Sequence, residues 1–106
     1  MSPLAPIGAL RHRLRLERSS LAADGSTLWT LLDTVSAALR PHGATATEAG
    51  AGITGRLATT IEIRWRADVD AACRLVLGTR VFRVRAAWDP DERRARLRIE
   101  AEEEEK

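Results

Sequence analysis

Two pairs of closely spaced carboxylates are the side chains of this sequence best suited to acid–base chemistry. Asp68 and Asp70 form one pair, and Asp89 and Asp91 form the other. Paired carboxylates can serve as the general acid and the general base of a reaction. Both pairs, however, stand among residues typical of turns, where an aspartate accepts hydrogen bonds from the backbone N–H groups that follow it. Turn formation is therefore the favoured interpretation of both pairs.

The histidines and the cysteine suggest no better site. His12 falls on the apolar side of the pattern in residues 10–18 and has no second ligand at a metal-binding spacing, so we expect an edge or core residue. His42 has no visible partner, and Cys73 stands where a buried strand would place a small apolar side chain. The sequence also lacks a phosphate-binding loop, a nucleophile elbow, zinc-ligand spacings and an HExxH motif. We therefore expect a protein that is not an enzyme and that needs no cofactor or metal.

Length and charge set the next limits. A chain of 106 residues has room for one domain with a modest core, which we expect to span residues 1–106. Because there is no long apolar run and no signal-peptide layout, we expect a cytoplasmic start. The positive charge is almost entirely arginine, although the formal net charge is only +2. A proline-containing leader at residues 1–9 and a solvated acidic tail at residues 102–106 are predicted at the two ends.

The clearest structural signal is a hairpin between residues 80 and 101. Apolar residues alternate with arginines on both sides of the sequence DPDE, which suits a type I turn, so each strand should bury one face. The side chains predicted to be buried in this hairpin are Phe82, Val84, Ala86, Trp88, Ala95, Leu97, Ile99 and Ala101. Residues 57–66 show the same alternation, and their Trp65 is expected on the buried face as well.

The remaining segments are consistent with further strands. Residues 10–18 alternate clearly, whereas residues 28–40 fit either a long, bulged strand or a helix, and their β-branched residues favour the strand. Residues 19–27 predict a turn between these two strands, and residues 67–72 predict one helical turn. Gly78 and Thr79 suit a two-residue type II′ turn. Five or six strands with short turns predict a mainly β fold, a small antiparallel β-barrel or sandwich.

Residues 41–56 differ in composition from everything around them. They are rich in glycine, alanine and threonine, and only Ile53 has an apolar side chain of any size. Such a segment cannot bury enough surface to offset the entropy of ordering it. The sequence therefore predicts a long flexible loop here, and loops of this length in small domains are usually functional or disordered.

The predicted strands carry rows of arginines at outward positions. The rows are Arg11, Arg13 and Arg15; Arg64 and Arg66; Arg83 and Arg85; and Arg94, Arg96 and Arg98. One interpretation is a solvated face with cross-strand pairs to Glu17, Glu62 and Glu100. A second is binding to nucleic-acid phosphates without sequence readout, since the aromatic residues are expected inside. A third is a subunit interface, where arginine is favoured.

The order of these pieces resembles the head-tail joining proteins of tailed bacteriophages, also called head-closure, stopper or head-tail adaptor proteins. The resemblance rests on LRHRLRLER, LWTLLDTVSAALRP, TTIEIRWR and LGTRVFRVRAAWDPDERRARLRIEAE, and it covers residues 10–102. It implies a small β-barrel whose copies form a ring of six or twelve below the portal. That ring would continue or close the DNA channel and dock the tail, in a phage or in the related gene transfer agents.

The same resemblance assigns roles to residues of this chain. It makes residues 41–56 a loop that projects towards the channel, and it makes the arginine rows contacts between subunits or rings. The channel-loop residues are Pro41, His42, Gly43, Thr45, Glu48, Gly50, Gly52, Ile53, Gly55 and Arg56.

The resemblance also implies a set of partners and a location. The partners are further copies of the chain, a portal or portal-side adaptor ring, a tail terminator or tail-side ring, and double-stranded DNA without sequence specificity, with no membrane. The expected location is the connector of a virion or phage-like particle that is assembled in the bacterial cytoplasm. The alternative function is that of a non-specific nucleic-acid-binding β-barrel module.

Overall fold

The computed structural model describes residues 7–44 and 57–104, and almost all regular structure in these ranges is β. The elements are a 3₁₀ helix at Ile7–Ala9 and the strands β1 (His12–Leu21), β2 (Thr27–Ala44), β3 (Leu57–Arg64), β4 (Cys73–Leu77), β5 (Arg80–Trp88) and β6 (Arg96–Glu103). The described ranges hold no helix of the length and apolar character that crossing a membrane requires.

The six strands form a closed antiparallel barrel. Their order around the barrel is β1-β2-β3-β6-β5-β4, and β4 pairs back with β1 through residues 73–76 and 15–18. The hairpin predicted from residues 80–101 is the β5–β6 pair. The prediction of a mainly β, antiparallel fold is therefore confirmed. Closure removes most of the strand edges that an open sheet of this size would expose.

The core lies inside the barrel and is formed by the alternating apolar residues of all six strands. Its members with 5 % exposure or less are Leu14, Leu16, Ala37, Ile61, Ile63, Cys73, Leu75, Phe82, Val84, Leu97, Ile99 and Ala101. Trp65 is partly buried and packs against this cluster. The predicted placement of Cys73 in a buried strand is confirmed. Burying one large apolar side chain contributes about 1.5–3 kcal/mol to the stability of the fold, so this inner face is its main source of stability.

The ambiguous segment 28–40 is a strand, and it lies within the longest strand of the barrel. Leu16 pairs with Asp33 while Glu17 pairs with Leu31, so Leu32 is an extra residue that forms a bulge in β2. Both β1 and β2 extend into the turn predicted at residues 19–27, because Leu21 pairs with Thr27. β2 also continues to Ala44, so the first four residues of the predicted loop belong to a strand that pairs with β3. The rest of that loop, residues 45–56, lies outside the described residues.

A second bulge overturns part of the predicted buried face. Val84 pairs with Ala101 and Ala86 with Glu100, so Arg85 is an extra residue in β5. One inserted residue reverses the side-chain parity of everything after it. Ala86 is consequently exposed, Ala87 packs against the core, and Trp88 is 41 % exposed. The prediction that Ala86 and Trp88 are buried was wrong. Ala95 is also exposed, because β6 begins only at the next residue.

The turns follow the predicted chemistry with one exception. Gly78 has φ +61° between the paired residues Leu77 and Arg80, as a type II′ turn requires of its first central residue. The Glu92 N–H donates to the Asp89 carbonyl at 3.3 Å, which closes the turn that joins β5 to β6. Residues 67–72, by contrast, form bends and a turn instead of a helical turn. Six residues are too few to offset the cost of helix nucleation when side-chain hydrogen bonds compete.

Candidate functional site

The two carboxylate pairs hold turns together. The Arg66 guanidinium donates to both oxygens of Asp68 at 2.9 and 2.8 Å, and Asp70 accepts the Ala72 N–H at 2.9 Å. Asp70 also accepts from Arg18 at 3.0 Å. Arg66 lowers the pKa of Asp68, and the Ala72 N–H followed by Arg18 lowers the pKa of Asp70. Both groups stay ionised at neutral pH, whereas a general acid needs a raised pKa.

The pair Asp89 and Asp91 is equally local. The carboxylate of Asp89 accepts the backbone N–H of Asp91 at 3.2 Å and that of Arg94 at 2.6 Å. Arg94 itself has φ 56° and lies in this turn, before β6 begins, so its predicted position on an outward strand row was wrong. Its guanidinium lies 5.3 Å from the centre of the Trp65 ring. The turn interpretation of the pair agrees with this geometry.

Arg66 joins two parts of the barrel wall. It lies beyond the end of β3, so it is not part of a strand row, and it donates to Asp33 of β2 at 2.6 Å as well as to Asp68. Asp68 and Asp33 both raise the pKa of Arg66, and Arg66 lowers the pKa of Asp33. Sequence reasoning missed Asp33, because 33 residues separate it from Arg66 and only the β2–β3 pairing brings them together.

Glu62, Arg96 and Arg98 form a buried charge cluster on β3 and β6. Glu62 is only 5 % exposed and accepts from Arg96 at 2.7 Å and from Arg98 at 3.1 Å. Arg96 is buried and Arg98 is half-buried, so the prediction that both belong to an exposed arginine row was wrong. Cross-strand pairing places Glu62 directly beside Arg98, and the carboxylate draws both guanidiniums onto the barrel wall.

A similar cluster forms around Glu17. This residue was expected on an exposed face, yet it is buried because Arg15 and Arg74 both donate to its carboxylate, at 3.0 and 2.8 Å. The guanidinium of Arg74 also lies 4.0 Å from the centre of the Trp29 ring. Arg74 and Trp29 were missed in the sequence, since only the β1–β4 pairing shows that Arg74 lies opposite Glu17.

The C-terminal glutamates bind arginines of β5. The three ion pairs are Arg80–Glu103 at 2.8 Å, Arg83–Glu104 at 3.3 Å and Arg85–Glu102 at 3.0 Å. The acidic run predicted as a solvated tail therefore begins inside β6, and its first residues hold positive charges of the same chain. Arg83 and Arg85, which belong to the predicted rows, therefore bind carboxylates of their own chain.

Six exposed arginines form no ion pair with a carboxylate in ranges 7–44 and 57–104. Two of them, Arg93 and Arg94, lie in the turn before β6, and the other four are Arg11, Arg13, Arg40 and Arg64. Arg11, Arg13 and Arg64 keep the exposed positions predicted for them, and Arg40 of β2 was missed. Arg13 donates to the Ser36 hydroxyl at 2.9 Å, which places it on the outer surface of the β1–β2 pair. His12 pairs with the buried Ala37 and so lies on the apolar side of β1, but its side chain is exposed because it is the first residue of the strand. It is thus an edge residue and not a core one. One basic surface of the barrel is formed by Arg11, Arg13, Arg40 and Arg64.

The β1–β2 hairpin extends beyond the closed barrel and exposes large apolar side chains. We call residues 19–31 the hairpin arm. β4 pairs with β1 only through residues 15–18, and β3 pairs with β2 only from Ala37 onward. Within the arm, Leu21 is 78 %, Leu28 52 % and Leu31 54 % exposed. Sequence reasoning missed the arm because residues 19–27 resembled a simple turn.

Comparison with known proteins agrees with this architecture. A family model described as phage head completion protein matches residues 5–104. The chain belongs to this family. The predicted resemblance to phage head-tail joining proteins is thereby confirmed, and the protein is a structural component of a phage-type head. Its family indicates a structural role in place of a catalytic one.

The solved structures that share this fold include two that cover most of the chain. One is a chain of the virion of a native gene transfer agent particle, with a TM-score of 0.71 and 19 % identity over 87 % of this chain and 92 % of that chain. The other is the solution structure of protein SF1141 from Shigella flexneri 2a, with a TM-score of 0.58 and 26 % identity over 93 % and 96 %. A comparison with curated protein sequences finds no match.

Proposed function

We propose that this protein is a non-enzymatic subunit of the connector between head and tail. In this proposal its copies form a ring below the portal, and the ring continues or closes the DNA channel and docks the tail. The match to the head completion family supports a place in a phage-type head, and the hairpin arm is the observation that supports assembly with neighbouring subunits. A small barrel with an apolar projection has a surface that a neighbouring protein can cover.

The register of the arm favours contacts on both of its sides. Leu21 pairs with Thr27 and Leu31 with Glu17, whereas Leu28 pairs with Ser20, so Leu28 lies on the opposite face from the other two leucines. In the described residues, the arm half of β2 has no strand on its second edge, and open edges of this kind are docking sites for other chains. An arm with apolar groups on two faces suits the head-to-tail contacts of a ring, where each copy meets two neighbours through different surfaces.

The arm and the predicted channel loop lie at opposite ends of β2. The arm contains the start of β2, which begins at Thr27, and the strand ends at Ala44, immediately before residues 45–56. We propose that this arrangement separates the two roles, with assembly at one end of the strand and the channel at the other. The role of residues 45–56 at the channel stays a prediction.

Complementation of a deletion mutant tests the proposal. A strain that lacks this gene should produce filled heads and separate tails, and the wild-type gene should restore joined particles. The triple variant Leu21→Ser, Leu28→Ser and Leu31→Ser should fold but fail to enter particles, because it removes the apolar surface of the arm. Trp88→Ser is the matched control, since it removes an exposed apolar residue outside the arm. Normal incorporation of the triple variant would contradict a role of the arm in assembly.

A further inference from the structure

The basic surface of the barrel is formed by Arg11 before β1, Arg13 of β1, Arg40 of β2 and Arg64 of β3. Their positions are linked by strand register, because Arg13 pairs with Ser36, and Arg40 pairs with Thr60 four residues before Arg64. Neighbouring strands are about 4.8 Å apart, and alternate residues on one strand are about 7 Å apart. The four guanidiniums therefore share one outer surface of three adjacent strands.

Two shallow depressions connect these arginines. Arg11, His12 and Arg40 line one depression of about 320 Å³ together with Arg98 and Glu62. Arg13, Arg64 and Arg66 line the second depression, of about 330 Å³, together with Asp33. Arg66 and Arg98 already bind carboxylates of this chain, whereas Arg11, Arg13, Arg40 and Arg64 bind none in the described ranges. Asp33 offsets part of this charge, since Arg66 as well as Arg13 lowers its pKa, but the arginines of the surface outnumber its carboxylates.

A second copy of this chain offers little to neutralise that charge. Most carboxylates of the described residues are already paired with arginines. Those with no arginine partner are Asp24, Asp89, Asp91, Glu92 and Glu100. Asp24 and Asp89 accept hydrogen bonds within their own turns. Asp91 and Glu92 stand next to Arg93 and Arg94, so no acidic patch of matching size exists in the part of the chain that is described.

The basic surface also lacks the apolar centre that protein partners usually require. The apolar residues of the first depression are Ala9, Ala38 and the partly buried Leu39. Those of the second are Val35 and Trp65, which are also partly buried and pack against the core. The large exposed apolar side chains lie in the hairpin arm and at Trp88. Protein interfaces concentrate aromatic and aliphatic groups at their centre, whereas contacts with a phosphate backbone need only spaced cations.

We propose that Arg11, Arg13, Arg40 and Arg64 contact the sugar-phosphate backbone of duplex DNA without reading its sequence. Each guanidinium presents paired N–H donors that match two oxygens of one phosphate. None of the four forms an ion pair in the described ranges, although Asp33, which binds Arg66, lies in the same depression as Arg13 and Arg64. The inference rests on the proposed function, because DNA that moves through the channel of the connector passes close to each of its subunits. It goes beyond that function by assigning the DNA contact to one surface of the barrel.

The salt dependence of binding tests this assignment on the purified full-length protein. Four phosphate contacts predict a slope of log K against log salt concentration of about −3 to −4, or about a hundredfold loss between 50 and 200 mM salt. The probe is a fluorescently labelled duplex of random sequence, and the readout is its anisotropy. Absence of binding at the lowest salt concentration would overturn the proposal.

Two charge-matched variants locate the contact. One replaces Arg11, Arg13, Arg40 and Arg64 with glutamine, and the other replaces the paired residues Arg18, Arg80, Arg83 and Arg85 with glutamine. The first should lose the salt slope and bind at least about tenfold more weakly, whereas the second should keep a slope near the wild-type value. Equal losses in both variants would show that only net charge matters and would overturn the assignment.

Single variants and particles complete the test. Arg11→Gln and Arg40→Gln should each reduce the slope by about one unit, and thermal unfolding of every variant shows whether it folds. An unchanged slope in both single variants would contradict the assignment.

Incorporation of the wild-type protein into particles is scored separately. A protein that enters the connector but does not bind duplex DNA would refute this inference and leave the proposed function intact.

Discussion

At the scale of single residues, the described surface is organised by which arginines have partners. Glu62 holds Arg96 and Arg98, Glu17 holds Arg15 and Arg74, and the C-terminal glutamates hold three more arginines. The sequence predicts that the strands are rich in arginine and that some pair with glutamates. It does not predict which arginines are occupied, because each pair depends on the register of strands that are far apart in the chain.

The buried cluster around Glu62 should be the most sensitive of these pairs. Glu62→Gln removes the carboxylate charge that two poorly solvated guanidiniums bind, so we expect a loss of about 3 kcal/mol or more in the free energy of unfolding. Glu104→Gln is the control, because its partner Arg83 is exposed and surface pairs contribute about 0–1 kcal/mol. Chemical denaturation measures both values. Equal effects of the two substitutions would show that burial of the cluster does not matter.

The Arg66 cluster predicts a loss of stability in acid. Arg66 lowers the pKa of both Asp33 and Asp68, so each carboxyl binds its proton more weakly in the folded state than in the unfolded state. The stabilisation is complete above the ordinary carboxyl pKa of about 4 and is lost as the pH falls through the lower folded-state pKa. The double variant Asp33→Asn and Asp68→Asn should therefore lose less stability between neutral pH and acid than the wild type. Unfolding curves measured across that pH range compare the two proteins, and parallel acid profiles would contradict the prediction.

At the scale of elements, the two bulges explain most differences between the predicted and observed faces. The alternation in residues 80–101 predicts the β5–β6 hairpin and the burial of Phe82, Val84, Leu97 and Ile99. It fails after Arg85, because a period of two contains no signal that one residue will be unpaired. The sequence pattern likewise contains no signal that Leu32 of β2 will be unpaired. The β-branched residues of that segment nevertheless favoured a strand over a helix.

The bulge at Arg85 predicts unequal costs for two aromatic substitutions on one strand. Phe82 precedes the bulge and is fully buried, so Phe82→Ala should lower the free energy of unfolding by about 3–5 kcal/mol. Trp88 follows the bulge and is 41 % exposed, so Trp88→Ala should cost much less, about 1 kcal/mol. Equilibrium denaturation of both variants measures the difference. If Trp88→Ala were as destabilising as Phe82→Ala, Trp88 would have to be buried and the bulge would be misplaced.

At the scale of the whole molecule, different surfaces of the barrel are suited to different roles. The hairpin arm carries exposed leucines at one end of β2, and the basic surface crosses β1, β2 and β3. The resemblance in the sequence predicted the family, because its motifs extend over nearly the whole chain. The arm could not be predicted, since it is defined by where pairing between strands stops. Arg11, Arg13 and Arg64 were predicted at outward positions, but the register of the strands decides that they form no ion pair, and Arg40 was missed.

Electron microscopy of purified particles at subnanometre resolution tests the central claim most directly. The account predicts several copies of this six-stranded barrel arranged around the particle axis between the portal and the tail, with each hairpin arm against a neighbouring subunit. The map should lose this layer in particles from the deletion strain. Joined particles with no density for the barrel between head and tail would contradict the proposed function.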